Sequence, residues 1–308
     1  MAEKDRLSGL IIRSQSGFYE VETESGSVTC RLRGRLKRGP RLGDIIAVGD
    51  WVKISLLSDG SGMIEEIEER THMFSRLAPT PRGEYQQILI ANPDQVVLVF
   101  ACADPEPRLR MLDRFLIVAE QAGIPAVITF NKVDLIGMRQ AKKWFGHYEK
   151  LNYPVLYTSV ENNRGLKELK KRLTSQVSVL AGPSGVGKSS LLNAIQPGLG
   201  LAVRNVSEST GKGKHTTVVR ELFRLEGGGY VADTPGLKAL ALWDIEPEEV
   251  DAYFPEIRDL VADCQFSNCT HIHEPGCAVM AAVEDGGIHF ERYESYVRIR
   301  FGSEDVEF

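Results

Sequence analysis

The chain has 308 residues, of which 43% are hydrophobic and 26% charged. That composition excludes a disordered chain, a collagen-like chain and a small disulfide-stapled scaffold, and the length fits two or three domains of ordinary size. With 37 Lys and Arg against 42 Asp and Glu the formal charge is −5, so any nucleic-acid contact must come from a local patch.

The opening Met1-Ala2-Glu3-Lys4-Asp5-Arg6 is charged, where a signal peptide would carry an apolar core. The longest apolar run, Val96 to Ala103, has eight residues, far below the ~18 of a membrane span. The expectation is a soluble, cytoplasmic protein with no membrane partner. Residues 1–70 alternate apolar with polar in short runs, such as Val28-Thr29-Cys30-Arg31-Leu32 and Val52-Lys53-Ile54-Ser55-Leu56, punctuated by glycines. Half-buried strands at such spacing predict a small closed β-barrel of the OB or SH3-like kind. Arg31, Arg33, Arg35, Lys37, Arg38 and Arg41 place six cations in eleven residues without an acid. On a strand, Arg31, Arg33 and Arg35 would form one wet stripe suited to an RNA backbone. A solvated charge run is the plainer alternative.

Over residues 71–238 strand-like runs (95–101, 125–130, 154–158, 177–181, 229–232) alternate with helix-like ones (109–121, 165–173). That pattern predicts an α/β domain, a parallel sheet with helices on both faces. The strand at 125–130 runs into Asn131-Lys132-Val133-Asp134. A carboxylate there accepts both the N1–H and the exocyclic amine of guanine, a donor pair adenine lacks, so Asp134 would select guanine. Asn131 would tie this loop to a phosphate loop, and the Lys132 stem would pack over the base. Thr158 and Ser159, after the next strand, fit a supporting loop whose backbone N–H meets guanine O6.

Alone, that motif is weak. Its weight comes from Gly182-Pro183-Ser184-Gly185-Val186-Gly187-Lys188-Ser189, a full phosphate-loop pattern between a strand and the helical run that starts at Ser190. Backbone N–H groups of such a loop cradle phosphates, Lys188 reaches the β- and γ-phosphates, and Ser189 ligates Mg2+. The basic, glycine-rich segment 211–217 reads as a loop that Mg2+ orders through Thr216 or Thr217. In Asp233-Thr234-Pro235-Gly236, Asp233 would hold Mg2+ through water and the Gly236 N–H would meet the γ-phosphate. Leu237 stands where many GTPases carry a water-orienting Gln, so unaided turnover should be slow. His215 is the internal candidate to position water, beside Lys188 and Thr216, unless it is only a solvated loop residue. Asp134 precedes Gly182 by 48 residues, the reverse of the usual GTPase order. A parallel sheet needs its strands in place, not in a given chain order.

Residues 239–308 are acidic and helix-like around Cys264-x4-Cys269-x-His271-x5-Cys277. Three thiolates and an imidazole suit a closed tetrahedral Zn2+ site of structural type, with His273 a spare for His271. Cys30 and Cys102 read as small buried hydrophobes. Arg292, Arg298 and Arg300, with Tyr293 and Tyr296, either touch RNA or pack on the knuckle.

The permuted order N-K-V-D, G-P-S-G-V-G-K-S-S, K-H-T-T, D-T-P-G, between a small barrel and a Cys/His knuckle, resembles the RsgA (YjeQ/YloQ) family over essentially the whole chain. The resemblance implies an OB-fold barrel, a circularly permuted P-loop GTPase domain, and a small helical zinc-binding domain with His271 as fourth ligand. It further implies GTP hydrolysis stimulated by the 30S ribosomal subunit during its late maturation. Its expected partners are 16S rRNA and other assembly factors, and a monomer is the default. The rival reading is an RNA-binding protein whose guanine-nucleotide sensor has negligible turnover; Asn131 to Asp134 argues against a phosphate-loop kinase.

Overall fold

Alternating side chains give the first five strands one wet and one dry face, and the dry faces close on one another. The computed structural model describes residues 6–37, 44–80, 83–201, 220–233 and 245–302. Strands β1 (Arg6–Gln15), β2 (Phe18–Thr23), β3 (Gly26–Leu32), β4 (Trp51–Leu56) and β5 (Gly62–Ile67) pair in the order β1-β2-β3-β5-β4. β1 also pairs with β4, which closes a five-stranded barrel of the OB kind and removes its edges. A register shift between Ile11 and Arg13 lets β1 serve both neighbours. Ile11, Val21, Cys30, Val52, Ile54 and Ile64 fill the interior.

The arginine stripe expected on one strand face does not form. β3 stops at Leu32, and Gly34–Lys37 turns into a 3-10 helix. Arg33 and Arg35 both fold onto the near-buried Glu65, at 3.1 and 3.4 Å. Arg31 lies over the Phe18 ring, 4.6 Å from its centroid. Arg38 and Arg41 lie outside the described residues.

An antiparallel hairpin that the strand signals do not announce, β6 (Met73–Thr80) and β7 (Gly83–Ala91), follows the barrel. The central sheet then forms from β8 (Gln95–Ala101), β9 (Ala126–Asn131), β10 (Val155–Tyr157), β11 (Val177–Ala181), β13 (Phe223–Arg224) and β14 (Tyr230–Asp233). Its order is β10-β9-β8-β11-β14-β13, parallel except for the last pair. Every residue of β8 and β9 is buried, as an apolar run covered on both faces requires. Val96, Leu98 and Phe100 of β8 join the core under α1 (Leu109–Gln121) and α2 (Met138–Phe145). Val97, Val99 and Ala101 join the opposite core, under α3 (Leu166–Leu173) and α4 (Lys188–Ile195).

Between β11 and β14, the short β12 (Arg220–Glu221) leaves this sheet and adds to the barrel, pairing Arg13 with Glu221 and Ser14 with Arg220. The Leu222 N–H donates to the Ile12 carbonyl at 2.8 Å. Arg224 of β13 meets Glu22 of β2 at 2.6 Å.

The last described segment is a run of short turns, 3-10 Pro247–Tyr253, α5 (Pro255–Arg258) and 3-10 Val261–Asp263, then α6 (Ala278–Glu284) and α7 (Phe290–Arg300). Val250, Phe254, Ile257, Val279, Tyr296 and Val297 form its core together with Ile117 of α1. Among the described residues no helix is long and apolar enough to cross a membrane.

Candidate functional site

The carboxyl ends of β9, β8 and β11 lie side by side, the usual place for ligands on an open parallel sheet. Asn131 closes β9, and the 182–188 loop follows β11. The Asn131 Nδ2 donates to the Val186 carbonyl at 2.9 Å, and its Oδ1 accepts from Thr158 Oγ1 at 3.0 Å. One buried amide thus joins the candidate base loop, its supporting loop and the phosphate loop. The approach demands glycine. At Gly187 (φ +94°) a Cβ would sit 2.5 Å from Asn131 Nδ2, and at Gly182 (φ +144°) one would sit 2.1 Å from the Val99 carbonyl oxygen.

Lys188 is nearly buried and its ammonium donates to the Gly182 and Pro183 carbonyls, at 2.8 and 2.9 Å. Gly187 caps α4, so Lys188, Ser189 and Ser190 form its first turn beside the loop, where the helix dipole is positive. Lys132 sits in the left-handed region at φ 60°, and its ammonium donates to the Asp104 carbonyl. Asp134 lies on the 3-10 turn Val133–Leu135. Burial first and the Asp134 charge second push the Cys102 thiol up to about 12, which suits a core cysteine. The Ser159 hydroxyl accepts from the Asn162 N–H at 3.1 Å and shapes the supporting loop. The β14 backbone pairs Asp233 with Leu180. The Asp233 side chain and residues 211–217, Gly236 and Leu237, with His215, Thr216 and Thr217 among them, lie outside the described residues.

In the C-terminal segment the ligand atoms of Cys264, Cys269, His271 and Cys277 all lie within 4.8 Å of one another. Cys264 Sγ and Cys277 Sγ are 3.9 Å apart, and His271 Nδ1 is 3.5 and 3.4 Å from them. Tetrahedral zinc bonds of ~2.3 Å to sulfur and ~2.0 Å to nitrogen imply separations of about 3.8 and 3.5 Å, so the donor set fits the ion. His271 is buried within this cluster, and His273 is exposed. Burial keeps the His271 imidazole neutral and pushes the Cys269 thiol up to about 12. A divalent cation held there would supply the charge that deprotonates such thiols.

The chain matches the family model described as RsgA GTPase over residues 67–243, and the RsgA N-terminal domain over residues 8–64. The chain belongs to the RsgA GTPase family. It is 44% identical to the small ribosomal subunit biogenesis GTPase RsgA of Gemmatimonas aurantiaca, over 95% of this chain and 96% of that one. To the protein of the same name from Moorella thermoacetica it is 45% identical, over 94% and 95%. Crystal structures of YjeQ from Thermotoga maritima (TM-score 0.79, 38% identity, 96% of this chain and 98% of that one) and of YloQ, a circularly permuted GTPase (0.75, 34%, 99% and 98%), share the fold. As an RsgA-family GTPase the chain hydrolyses GTP.

Around the RsgA knuckle the structure adds residues that spacing alone does not single out. Glu274 accepts from the backbone N–H groups of Thr270, Ile272 and His273, at 2.8 to 3.2 Å, and from the Thr270 hydroxyl. Burial opposes ionisation, but these bonds hold its carboxyl well below the usual range. Asp251 faces His271 Nε2 at 3.6 Å, where a carboxylate orients a ligating imidazole. The Tyr293 and Tyr296 hydroxyls donate to the His271 and Thr270 carbonyls, at 2.7 and 3.1 Å. Of the C-terminal arginines, Arg292 is buried, Arg298 meets Glu294 and Arg300 meets Asp251: this helix packs rather than presenting a basic face. A second donor trio, His147, His289 and Glu291, also lies within 4.8 Å. Its two imidazoles stack at 4.0 Å with planes 9° apart, so their in-plane lone pairs do not converge on an ion.

Proposed function

We propose that this chain is a GTPase that binds the small ribosomal subunit in its GTP state and leaves after hydrolysis stimulated by the subunit. The observation that carries the reading is the Asn131 amide, which joins two loops whose chain order is inverted. A guanine held by Asp134 and phosphates held by the loop from Gly182 to Ser189 then belong to one nucleotide. The curated relatives are named for small-subunit biogenesis.

In this reading residues 1–70 form an RNA-binding barrel, 71–238 the GTPase domain and 239–308 a domain held by structural zinc on Cys264, Cys269, His271 and Cys277. Ser189, Thr216 and Asp233 would hold Mg2+, which would supply neutralising charge to the phosphates. Lys188 leaves its loop carbonyls for phosphate oxygens, and His215 orients the attacking water. Leu237 cannot take that part, which is why unaided turnover is slow. The partners are the 30S subunit, its 16S rRNA and other assembly factors, met by a cytoplasmic monomer.

The test is GTP turnover with and without purified 30S subunits, combined with co-sedimentation on 30S and 50S subunits in GDP and in a non-hydrolysable GTP analogue. Stimulated turnover and analogue-dependent pelleting with 30S are expected. Unstimulated turnover, with pelleting indifferent to nucleotide, would leave an RNA-binding protein with a passive sensor. Asp134→Asn should move preference from guanine to xanthine nucleotides. The amide donates to the xanthine carbonyl where the carboxylate accepted the guanine amine, and unaltered guanine selectivity in a competition assay would remove Asp134 from the site.

A further inference from the structure

The base loop runs straight into α2. The Leu135 N–H donates to the Lys132 carbonyl at 3.1 Å, Gly137 to Val133 at 2.8 Å and Ala141 to Gly137 at 3.0 Å. α2 buries Ala141 and Phe145, the latter stacked on Phe130 at 4.2 Å. Its outer surface is then fixed by helical geometry: Arg139, Lys142 and Lys143, at i, i+3 and i+4, share one side, and Trp144 flanks them. All four are exposed, Trp144 by 46%, and Leu135 at the head of the segment is 52% exposed.

Two properties set this face apart. From Leu135 to Tyr148 the sequence has no acidic residue, in a chain of net charge −5. Several other surface cations have carboxylate partners: Arg33 and Arg35 meet Glu65, Arg224 meets Glu22, Arg258 meets Glu120 and Arg298 meets Glu294. The exposed Lys167, Lys171 and Arg172 of α3 have none among the described residues, but that helix carries no aromatic residue. Among the described residues Arg139, Lys142 and Lys143 make no ion pair. The indole, for its part, rests edge-on against Phe145 at 6.1 Å, so its position is supported although its surface is wet. Unpaired cations beside a supported aromatic are the combination that binds single-stranded nucleic acid, the ring stacking on a base and the cations meeting phosphates.

We propose that the outer face of α2 is an RNA-docking surface of the GTPase domain, with Trp144 stacked on an unpaired base and Arg139, Lys142 and Lys143 on flanking phosphates. The inference rests on the ribosomal reading above and adds to it a second RNA contact, separate from the barrel and continuous with the loop that bears Asp134.

The experiment measures binding of the full chain, loaded with a non-hydrolysable GTP analogue, to purified 30S subunits over a series of salt concentrations. Trp144→Ala should weaken binding roughly ten-fold, the loss of one stacked base, and Trp144→Phe should retain most of it. Neutralising Arg139, Lys142 and Lys143 to Gln should lower the slope of log affinity against log salt by about 2. GTP affinity of each free variant, unchanged from the parent, certifies the fold. A photo-crosslinking residue at position 144 should attach to rRNA. Attachment to a ribosomal protein instead, or variants that bind like a parent that itself binds 30S, overturns the RNA surface and leaves the ribosomal reading standing. A parent that does not bind 30S at all overturns both.

Discussion

Two buried polar side chains each join segments far apart in the chain, and they do it in opposite ways. Asn131 reaches Val186, 55 residues on, through one neutral amide. Arg292 reaches Asp113, 179 residues back, through a full charge. It bonds Asp113 at 2.5 Å and Glu256 at 2.7 Å, while Tyr148 donates to the same Asp113 at 2.8 Å and Phe254 lies under the guanidinium. A neutral bond of this kind contributes about 0.5–1.5 kcal/mol and can be remade when a ligand enters. Breaking a buried charge set strands the remaining ions and costs several times more. The contrast separates a neutral joint beneath the nucleotide loops from a charge-held one between α1 and the C-terminal segment.

That contrast can be broken at several points. Arg292→Met should show the largest effect, a loss of about 3–5 kcal/mol in urea unfolding, because Asp113 and Glu256 remain buried without their cation. Adding Asp113→Asn and Glu256→Gln should return part of it, and an unchanged urea midpoint in the single variant would mean the joint is not charge-held. Asn131→Ala should cost about 1–3 kcal/mol, since the Val186 carbonyl and Thr158 hydroxyl both lose a partner. Its guanine-nucleotide affinity, read by calorimetry, should fall with it.

A third probe is pH. Burial first, then the facing His289 and Arg292 and the nearby Lys150, depress the His147 pKa to about 3, against a smaller opposing contribution from the Trp144 carbonyl. In the unfolded chain an imidazole titrates near 6.5, so the unfolded state takes a proton that the native state refuses. Stability from this group is therefore whole above roughly pH 6.5 and declines as pH falls towards about 3. His147→Phe should flatten that decline in urea midpoints measured between about pH 7 and 4, and an identical slope in both proteins would exclude His147 as its source. The smallest effect is expected where the barrel meets β13. Glu22 and Arg224 are partly solvated, so a double-mutant cycle should give about 0.2–1 kcal/mol, vanishing at high salt.

Legibility in the sequence followed the range of the interactions. The phosphate loop and N-K-V-D are local patterns with their flanking strands attached, and β8, α1 and β11 lie where periodicity puts them, at 95–101, 109–121 and 177–181. The strand ends read as 125–130, 154–158 and 229–232 shift by only a residue or so. The β6–β7 hairpin was not legible, because its Arg, Gln, Pro and Thr residues break the alternation that marks a half-buried strand. The fate of the arginine run was not legible either: Glu65, which takes Arg33 and Arg35, is about thirty residues away. Glu274 carries a local signal that could have been used, a carboxylate just before the Pro275-Gly276 turn of a metal knuckle. Asp251 and Arg292 carry none, since their partners come from other segments.

The annexed strand β12 has a consequence for how the molecule can be taken apart. Barrel residues such as Ile54 and sheet residues such as Phe100 belong to one continuous apolar core, and the stretch leading to β14 is stitched along the barrel wall on its way. The amino-terminal barrel is therefore no detachable cassette. A cut after residue 70 would leave the end of β1 without its β12 partner on one piece and bare apolar side chains on the other, and both pieces should come out of cells as aggregate.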